Sequence, residues 1–257
     1  MRFVQYLALL ISSATVACQT VPITGRSQFL LISEPEEVRM GLQSYQEVLR
    51  KSKLSADPAA NDMVRRVGTR IAAVTGRNDY QWEFKVIEDP QANAFCLPGG
   101  KVAVYTGILP ITRDEAGLAA VMAHEVAHSI ARHGGERVSQ ELVVQLGVAG
   151  TMAALSNRDP KTVQSVGALL GAGAGVGLLL PWGRGQESEA DHVGLILMAK
   201  AGYDPHGARG LWIRMGEASK GKGRPPEFLS THPSAATRIK QIEGWLPEAM
   251  QYYRPTR

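Results

Sequence analysis

Residues 116–128 constrain this chain more than any other stretch, and they read Ala-Gly-Leu-Ala-Ala-Val-Met-Ala-His-Glu-Val-Ala-His. Thr112 and Glu115 have the spacing of a capping box, which predicts that a helix begins there. Gly134-Gly135 is a typical signal for its end. No proline lies between these signals, and a core stripe recurs at every fourth position: Leu118, Met122, Val126 and Ile130.

His124 and His128 lie about one helical turn apart, so both imidazoles can reach one metal ion. Glu125 is rotated by about 100° from His124, so its carboxylate can reach water on that metal without being a ligand. Two histidines four residues apart, with a glutamate after the first, form the pattern of zinc peptidases. The alternative is a helix whose polar face carries two histidines by chance, which the flanking apolar stripe disfavours.

Glu187 and Asp191 lie four residues apart in a second predicted helix, near residues 186–199. This spacing puts both carboxylates on one helical face. A metal ligand and a residue that orients another ligand need that arrangement. Glu189 is expected to be a solvated charge, and His192 is rotated off the face of Glu187.

Asn93, Ala94 and Phe95 open a predicted β-hairpin directly before the metal-binding helix. Pro98-Gly99-Gly100 is its turn signal, and a β-branched run follows over residues 101–107. A strand in this position can pair with an extended substrate peptide. The alternative is a plain hairpin of the core.

The N-terminus predicts a targeting segment. Residues 1–17 carry one charge, then an apolar run and small residues, as in a secretory signal peptide. Thr15-Val16-Ala17-Cys18 resembles a bacterial lipobox. Gln19, rather than an aspartate, follows the cysteine, which resembles lipoproteins that are sorted to the outer membrane. We therefore expect a periplasmic protein anchored to the outer membrane through a lipid on Cys18, with ordinary cleavage to a soluble periplasmic protein as the alternative.

The chain contains two cysteines. If Cys18 carries lipid, Cys96 is a lone thiol, which we expect to be a small buried residue. In an unlipidated chain, a disulfide bond between Cys18 and Cys96 is possible.

Size and composition favour a globular domain, which we place at residues 33–250 around the metal-binding motif, after a polar tether at 18–32. Apolar residues make up 44% and charged residues 20% of the chain, which is ordinary for a folded domain. The net charge of +4 comes from scattered basic residues without interleaved aromatics, which argues against nucleic-acid binding. The oligomeric state is left open.

Residues 163–180 form an uncharged, glycine-rich stretch near the lower length limit of a membrane span. A buried or interfacial helix, a hairpin and a flexible flap near the site are the other interpretations. The glycines and the absence of basic flanks favour these over a span.

Three motifs in order resemble the HtpX and CaaX-prenyl-protease-like zinc metallopeptidases: the His-Glu-x-x-His residues, then Glu187 to Asp191, and Ser230-Thr231-His232-Pro233 followed by Arg238-Ile239. Asn93-Ala94-Phe95 is similar to the strand that precedes the family's metal helix. The resemblance implies an α+β, mostly helical zincin-like domain with a small sheet beside the metal helix.

The resemblance also implies a role for each matched residue. It implies one Zn²⁺ per chain, held by His124, His128 and Glu187. Glu125 would be the catalytic base, and Asp191 would support the metal ligands from the second layer. In the periplasmic branch, similar to BepA, the histidine of Thr-His-Pro can reach and block the zinc, so His232 is either such a regulatory ligand or a polar helix cap. This chain ends before the helical-repeat domain of that branch.

These features predict a zinc-dependent endopeptidase for quality control in the bacterial envelope, with misfolded or misassembled envelope proteins as substrates. A zinc-bound chaperone or assembly factor for outer-membrane proteins, with latent peptidase activity, is the main alternative. A purely structural zinc helix is disfavoured, because structural sites are closed and rich in cysteine.

Overall fold

The computed structural model describes residues 18–156, 180–219, 228 and 235–255, together with residues 159, 161, 164 and 165. These residues form two compact units. The first comprises residues 1–34 and 132–186, and the second comprises residues 35–131 and 187–257. The candidate site belongs to the second unit.

Helices make up most of the described structure, with two small sheets. The strands are β1 (Cys18–Thr20), β2 (Ser27–Phe29), β3 (Glu83–Ile87), β4 (Ala94–Leu97) and β5 (Lys101–Tyr105). The helices are α1 (Glu34–Lys51), α2 (Pro58–Ala73), a 3₁₀ turn (Thr106–Ile108), α3 (Leu109–Thr112), α4 (Glu115–Ile130), α5 (His133–Ala154), α6 (Leu180–Lys200), α7 (His206–Ser219) and α8 (Ala235–Tyr252). This confirms the predicted α+β class.

The first unit joins a β-hairpin to the start of α5. Strands β1 and β2 pair antiparallel. The Arg26 guanidinium forms an ion pair with Glu136 at 2.7 Å, and the Leu31 amide donates to Ser139 Oγ at 2.8 Å. The predicted tether at residues 18–32 is therefore folded, because its backbone groups pair with each other and with α5.

The second unit holds a three-stranded sheet in the order β3-β5-β4. β3 runs parallel to β5, and β4 pairs antiparallel with β5, so β4 forms one edge. α4 packs on β4, and its stripe of Leu118, Met122, Val126 and Ile130 is buried in the core, as predicted.

The limits of α4 differ from those that the sequence predicted. Asp114, not Thr112, is the N-cap, and its side chain accepts from the Gly117 amide at 2.7 Å. The helix ends at Ile130, and Arg132 then adopts a left-handed conformation (φ 56°) before α5 begins at His133. Gly134-Gly135 lies inside α5, because Arg132 already supplies the break.

The spacing of Val38, Leu42, Tyr45 and Leu49 predicts one apolar face for α1, and the buried face is rotated by one residue from it. Gly41 and Tyr45 are buried, whereas Leu42 is 40% exposed. A Cβ on Gly41 would lie 2.7 Å from the Pro98 carbonyl oxygen, so only a glycine lets the helix approach the turn after β4.

Within the described residues, no helix is both long enough and apolar enough to cross a bilayer. Most of the stretch 163–180 lies outside the described residues. Pro181, Trp182 and Gly183, which follow this stretch in the sequence, form the first turn of α6. A proline near a helix start loses no hydrogen bond.

Candidate metal centre

α4 presents both histidines of its motif to one buried point. The Nε2 atoms of His124 and His128 lie 3.1 Å apart, and the two rings meet edge to face. His124 is only 2% exposed. The four-residue spacing on an unbroken helix produces this convergence.

α6 brings Glu187 to the same point. Its Oε1 lies 3.3 Å from His128 Nε2, and its Oε2 lies 3.5 Å from His124 Nε2. One atom from each of the three residues fits within 4.8 Å of the others. Ligands at about 2.0–2.1 Å from a tetrahedral zinc are separated by about 3.3 Å, so this donor set fits a zinc ion.

Asp191 lies one turn after Glu187 on α6 and holds the other side of His124. Its Oδ1 is 3.0 Å from His124 Nδ1. A carboxylate on Nδ1 fixes the ring orientation and leaves Nε2 to face the site. The structure thus brings together His124, His128, Glu187 and Asp191, four of the five residues that the sequence singled out on α4 and α6.

Arg238, near the start of α8, also lies in this cluster, although the sequence gave it no role. Its Nε and Nη2 atoms donate to the two Asp191 oxygens at 2.7 and 2.5 Å, and Nη1 donates to Glu187 Oε2 at 3.1 Å. Its Cζ lies 3.7 Å from the centre of the Trp212 ring. The available signal was that Arg238 belongs to the third motif, together with Thr231-His232-Pro233. No spacing rule predicts that α8 contacts α6.

Opposing effects act on the pKa of His124. Burial and the Arg238 cation lower it, but hydrogen bonds and charge from Asp191 and Glu187 outweigh them and raise the pKa to about 9. Burial raises the pKa of Asp191, yet Arg238 and His124 together lower it below its ordinary value. Without metal, the cluster therefore holds a proton on His124 beside a charged Asp191.

Glu125 is 5% exposed and follows His124 on α4. Burial raises the pKa of Cys96 on β4 to about 12, and the charge of Glu125 adds to that rise. The buried Cys96 therefore stays a thiol and is no nucleophile.

Among the described strands, β4 pairs with β5 alone, and the pairing defines which of its backbone groups point to the other edge. The Tyr105 amide donates to the Asn93 carbonyl. Because the direction of the backbone groups alternates along an antiparallel strand, the backbone groups of Asn93 and Phe95 face β5, and the amide and carbonyl of Ala94 face the opposite edge. The Ala94 amide meets Asn93 Oδ1 at 2.9 Å. The Phe228 amide donates to the Ala92 carbonyl at 3.1 Å on this same edge.

Three other predicted features have different outcomes. Glu189 is 8% exposed, so its prediction as a solvated charge was wrong. His192 lies off the site, as predicted, and its Nε2 is 2.7 Å from Glu248 Oε2. His232 lies outside the described residues, so its regulatory role stays a prediction.

Residues 58–246 match the family model described as peptidase family M48. The chain belongs to peptidase family M48. This confirms the predicted zinc metalloendopeptidase class, since the family's peptidases depend on zinc and the donor set fits that ion.

Several curated relatives are similar over most of this chain. Mitochondrial metalloendopeptidase OMA1 of Schizosaccharomyces pombe is 44% identical over 89% of this chain and 66% of its own length. Human OMA1 is 31% identical over 90% of this chain and 46% of its own length. The β-barrel assembly-enhancing protease of Escherichia coli is 25% identical over 87% of this chain, which spans about half of that relative (46%).

The predicted bacterial periplasmic location, with an outer-membrane anchor at Cys18, is contradicted by these comparisons, because the relatives with the higher identities are named as mitochondrial enzymes. The N-terminal pattern misled the prediction for a physical reason. A short basic and apolar segment indicates that a chain is targeted, but related patterns are read by different receptors.

Proposed function

We propose that this chain cleaves internal peptide bonds of unfolded proteins at a zinc ion held by His124, His128 and Glu187. The observation that carries the proposal is the convergence of their nitrogen and oxygen atoms at separations of 3.1, 3.3 and 3.5 Å. Two imidazoles and one carboxylate form a catalytic type of zinc site, which leaves a position for water.

The residues around the donors divide the chemistry. Zinc in such a site supplies a Lewis acid, which lowers the pKa of water to about 7 and polarises a carbonyl group. Glu125 takes a proton from the attacking water and delivers it to the leaving amine. Asp191 keeps a proton on Nδ1 of His124, so that Nε2 keeps its lone pair for the metal.

The β4 edge supports a preference for extended substrates. The amide and carbonyl of Ala94, between Asn93 and Phe95, point away from β5, as backbone pairing with a peptide strand requires. A paired peptide would replace the bond that the Ala94 amide makes to Asn93 Oδ1. Most backbone groups of a folded protein are already paired, whereas an unfolded chain offers extended segments that can pair with this edge. We therefore propose unfolded or misassembled proteins as substrates, with proteins that fail to assemble in a membrane as the physiological class. The name of the E. coli relative supports this class.

The test compares Glu125→Gln and Glu187→Ala with the unaltered chain, using bound zinc and digestion of unfolded casein as readouts. We expect Glu125→Gln to keep stoichiometric zinc and to lose cleavage by a factor of about 10² or more. Glu187→Ala should lose both zinc and cleavage. Digestion by Glu125→Gln at the wild-type rate would remove Glu125 from its role. A zinc-loaded wild type that binds casein without cutting it would favour the chaperone alternative.

A further inference from the structure

One side chain holds both carboxylates of the candidate metal centre. Arg238 is 3% exposed, and its three guanidinium nitrogens donate to Asp191 and Glu187. The flat guanidinium presents its donors in a fixed fork, which a lysine ammonium does not. The relative position of the two carboxylates is therefore set from α8 as well as from their own helix.

The two oxygens of Glu187 have different surroundings. Oε2 accepts from Arg238 Nη1 at 3.1 Å and lies 3.5 Å from His124 Nε2, whereas Oε1 lies nearer to a histidine nitrogen, 3.3 Å from His128 Nε2. A carboxylate binds a metal through one oxygen or through both. A guanidinium donor on Oε2 favours the first mode, because an oxygen that accepts a charge-assisted hydrogen bond has less density to offer a metal.

We propose that Arg238 is a positioning residue that keeps Glu187 a one-oxygen ligand and so preserves the coordination position for water. The inference rests on the proposed role of Glu187 as a zinc ligand. Catalytic zinc sites need that open position, and the second oxygen of a chelating carboxylate would compete for it. Arg238 thus acts through Glu187 and needs no contact with substrate.

Trp212 on α7 supports the guanidinium from its other face. The Arg238 Cζ atom lies 3.7 Å from the Trp212 ring centre, and Trp212 is 3% exposed. A buried cation over an indole face gains electrostatic attraction and loses freedom to tilt. The plane of the guanidinium, and with it the line from Nη1 to Glu187 Oε2, is therefore fixed by Trp212.

The test replaces zinc by Co²⁺ in the full-length chain and compares wild type with Arg238→Lys. Lysine keeps the buried positive charge opposite Asp191 but lacks the fork that reaches Glu187 as well. We expect both proteins to bind one equivalent of Co²⁺. The visible absorption of Co²⁺ in Arg238→Lys should fall by about twofold or more, since a chelating Glu187 raises the coordination number from four to five. Its kcat on casein should fall about tenfold or more at unchanged KM.

Trp212→Leu keeps apolar bulk but removes the ring face, and it should show the same spectral change to a smaller degree. Added methylguanidinium should restore the wild-type cobalt spectrum to Arg238→Ala. Arg209→Ala is the matched control, because Arg209 also joins α7 to α8 through a carboxylate, Glu243, at 2.5 Å on the exposed side. It should match wild type in spectrum and kcat.

A wild-type cobalt spectrum in Arg238→Lys would overturn the inference while leaving the metal site intact. Loss of bound Co²⁺ from Arg238→Lys would also overturn it, since Arg238 would then build the site rather than set the binding mode of Glu187. Failure of the wild type itself to bind Co²⁺ would instead remove the proposed function, and this inference with it.

Discussion

Gly194 of α6 lies against the backbone of His124. A Cβ built on Gly194 would lie 3.0 Å from both the Cα and the amide nitrogen of His124. α6 therefore packs tightly on the backbone of α4 at His124, the first histidine of the candidate metal centre, in the same stretch of α6 that carries Asp191. The absence of one side chain sets the helix separation at which the two sets of donors meet.

Gly194→Ala should therefore separate α6 from α4 and weaken metal binding. Overpacking a closed contact costs about 1–3 kcal/mol of folding free energy, and a shifted Glu187 should lower zinc affinity about tenfold or more. Chemical denaturation and competition with a chromophoric chelator measure the two effects. Gly185→Ala, on the same helix with open space around it, should be neutral or slightly stabilising. Equal zinc affinity in the Gly194 variant and the wild type would contradict this account.

Zinc affinity should depend on pH up to about pH 9. Without metal, His124 has a pKa of about 9 and holds a proton that zinc must displace. Affinity should therefore rise about tenfold per pH unit between pH 7 and 9 and level off above, whereas a histidine with an ordinary pKa would level off near 6.5. Chelator competition at constant ionic strength measures this slope. Asp191→Asn removes the charge that raises the pKa, so its plateau should begin at lower pH; a flat wild-type profile above pH 7 would refute the prediction.

Asp114→Ala should destabilise the chain by about 1 kcal/mol, because the amide at the start of α4 loses its acceptor. Asparagine is an equally good N-cap, so Asp114→Asn should stay close to wild type. Thermal unfolding of the three proteins tests this, and a similar loss in Asp114→Asn would mean that the charge of Asp114 matters more than its hydrogen bond.

Ala94→Pro should impair substrate binding more than folding. The Ala94 amide points away from β5 and donates to Asn93 Oδ1, so proline removes this donor and its local bond without removing a bond of the sheet. We expect KM for casein peptides to rise about tenfold, with zinc content and circular dichroism retained. Phe95→Pro is the contrasting variant, since the Phe95 amide bonds toward β5 and its loss should destabilise the sheet. An unchanged KM in a folded Ala94→Pro protein would exclude pairing at this edge.

Local sequence rules predicted the elements that depend on neighbours in the chain. The core stripe of α4 follows helical periodicity, and it is present. The predicted end of α4 at Gly134-Gly135 was wrong. Arg132 ends the helix in a left-handed conformation, which an arginine rarely adopts and which the sequence therefore does not predict. The face of α1 failed because the position of Gly41 against Pro98 is a contact across 57 residues of chain.

The sequence by itself determined the chemistry: two imidazoles one turn apart, a glutamate beside them, and two carboxylates one turn apart on another helix. Helical periodicity fixes such relations, because each concerns residues within a few positions of one another. Only the tertiary structure decided that these helices meet, that Gly194 sets their separation, and that Arg238 on Trp212 holds both carboxylates. Those contacts join residues that are distant in the chain. They form because a buried charge is stable only when it is paired and hydrogen-bonded, and tertiary packing decides which partner lies within reach.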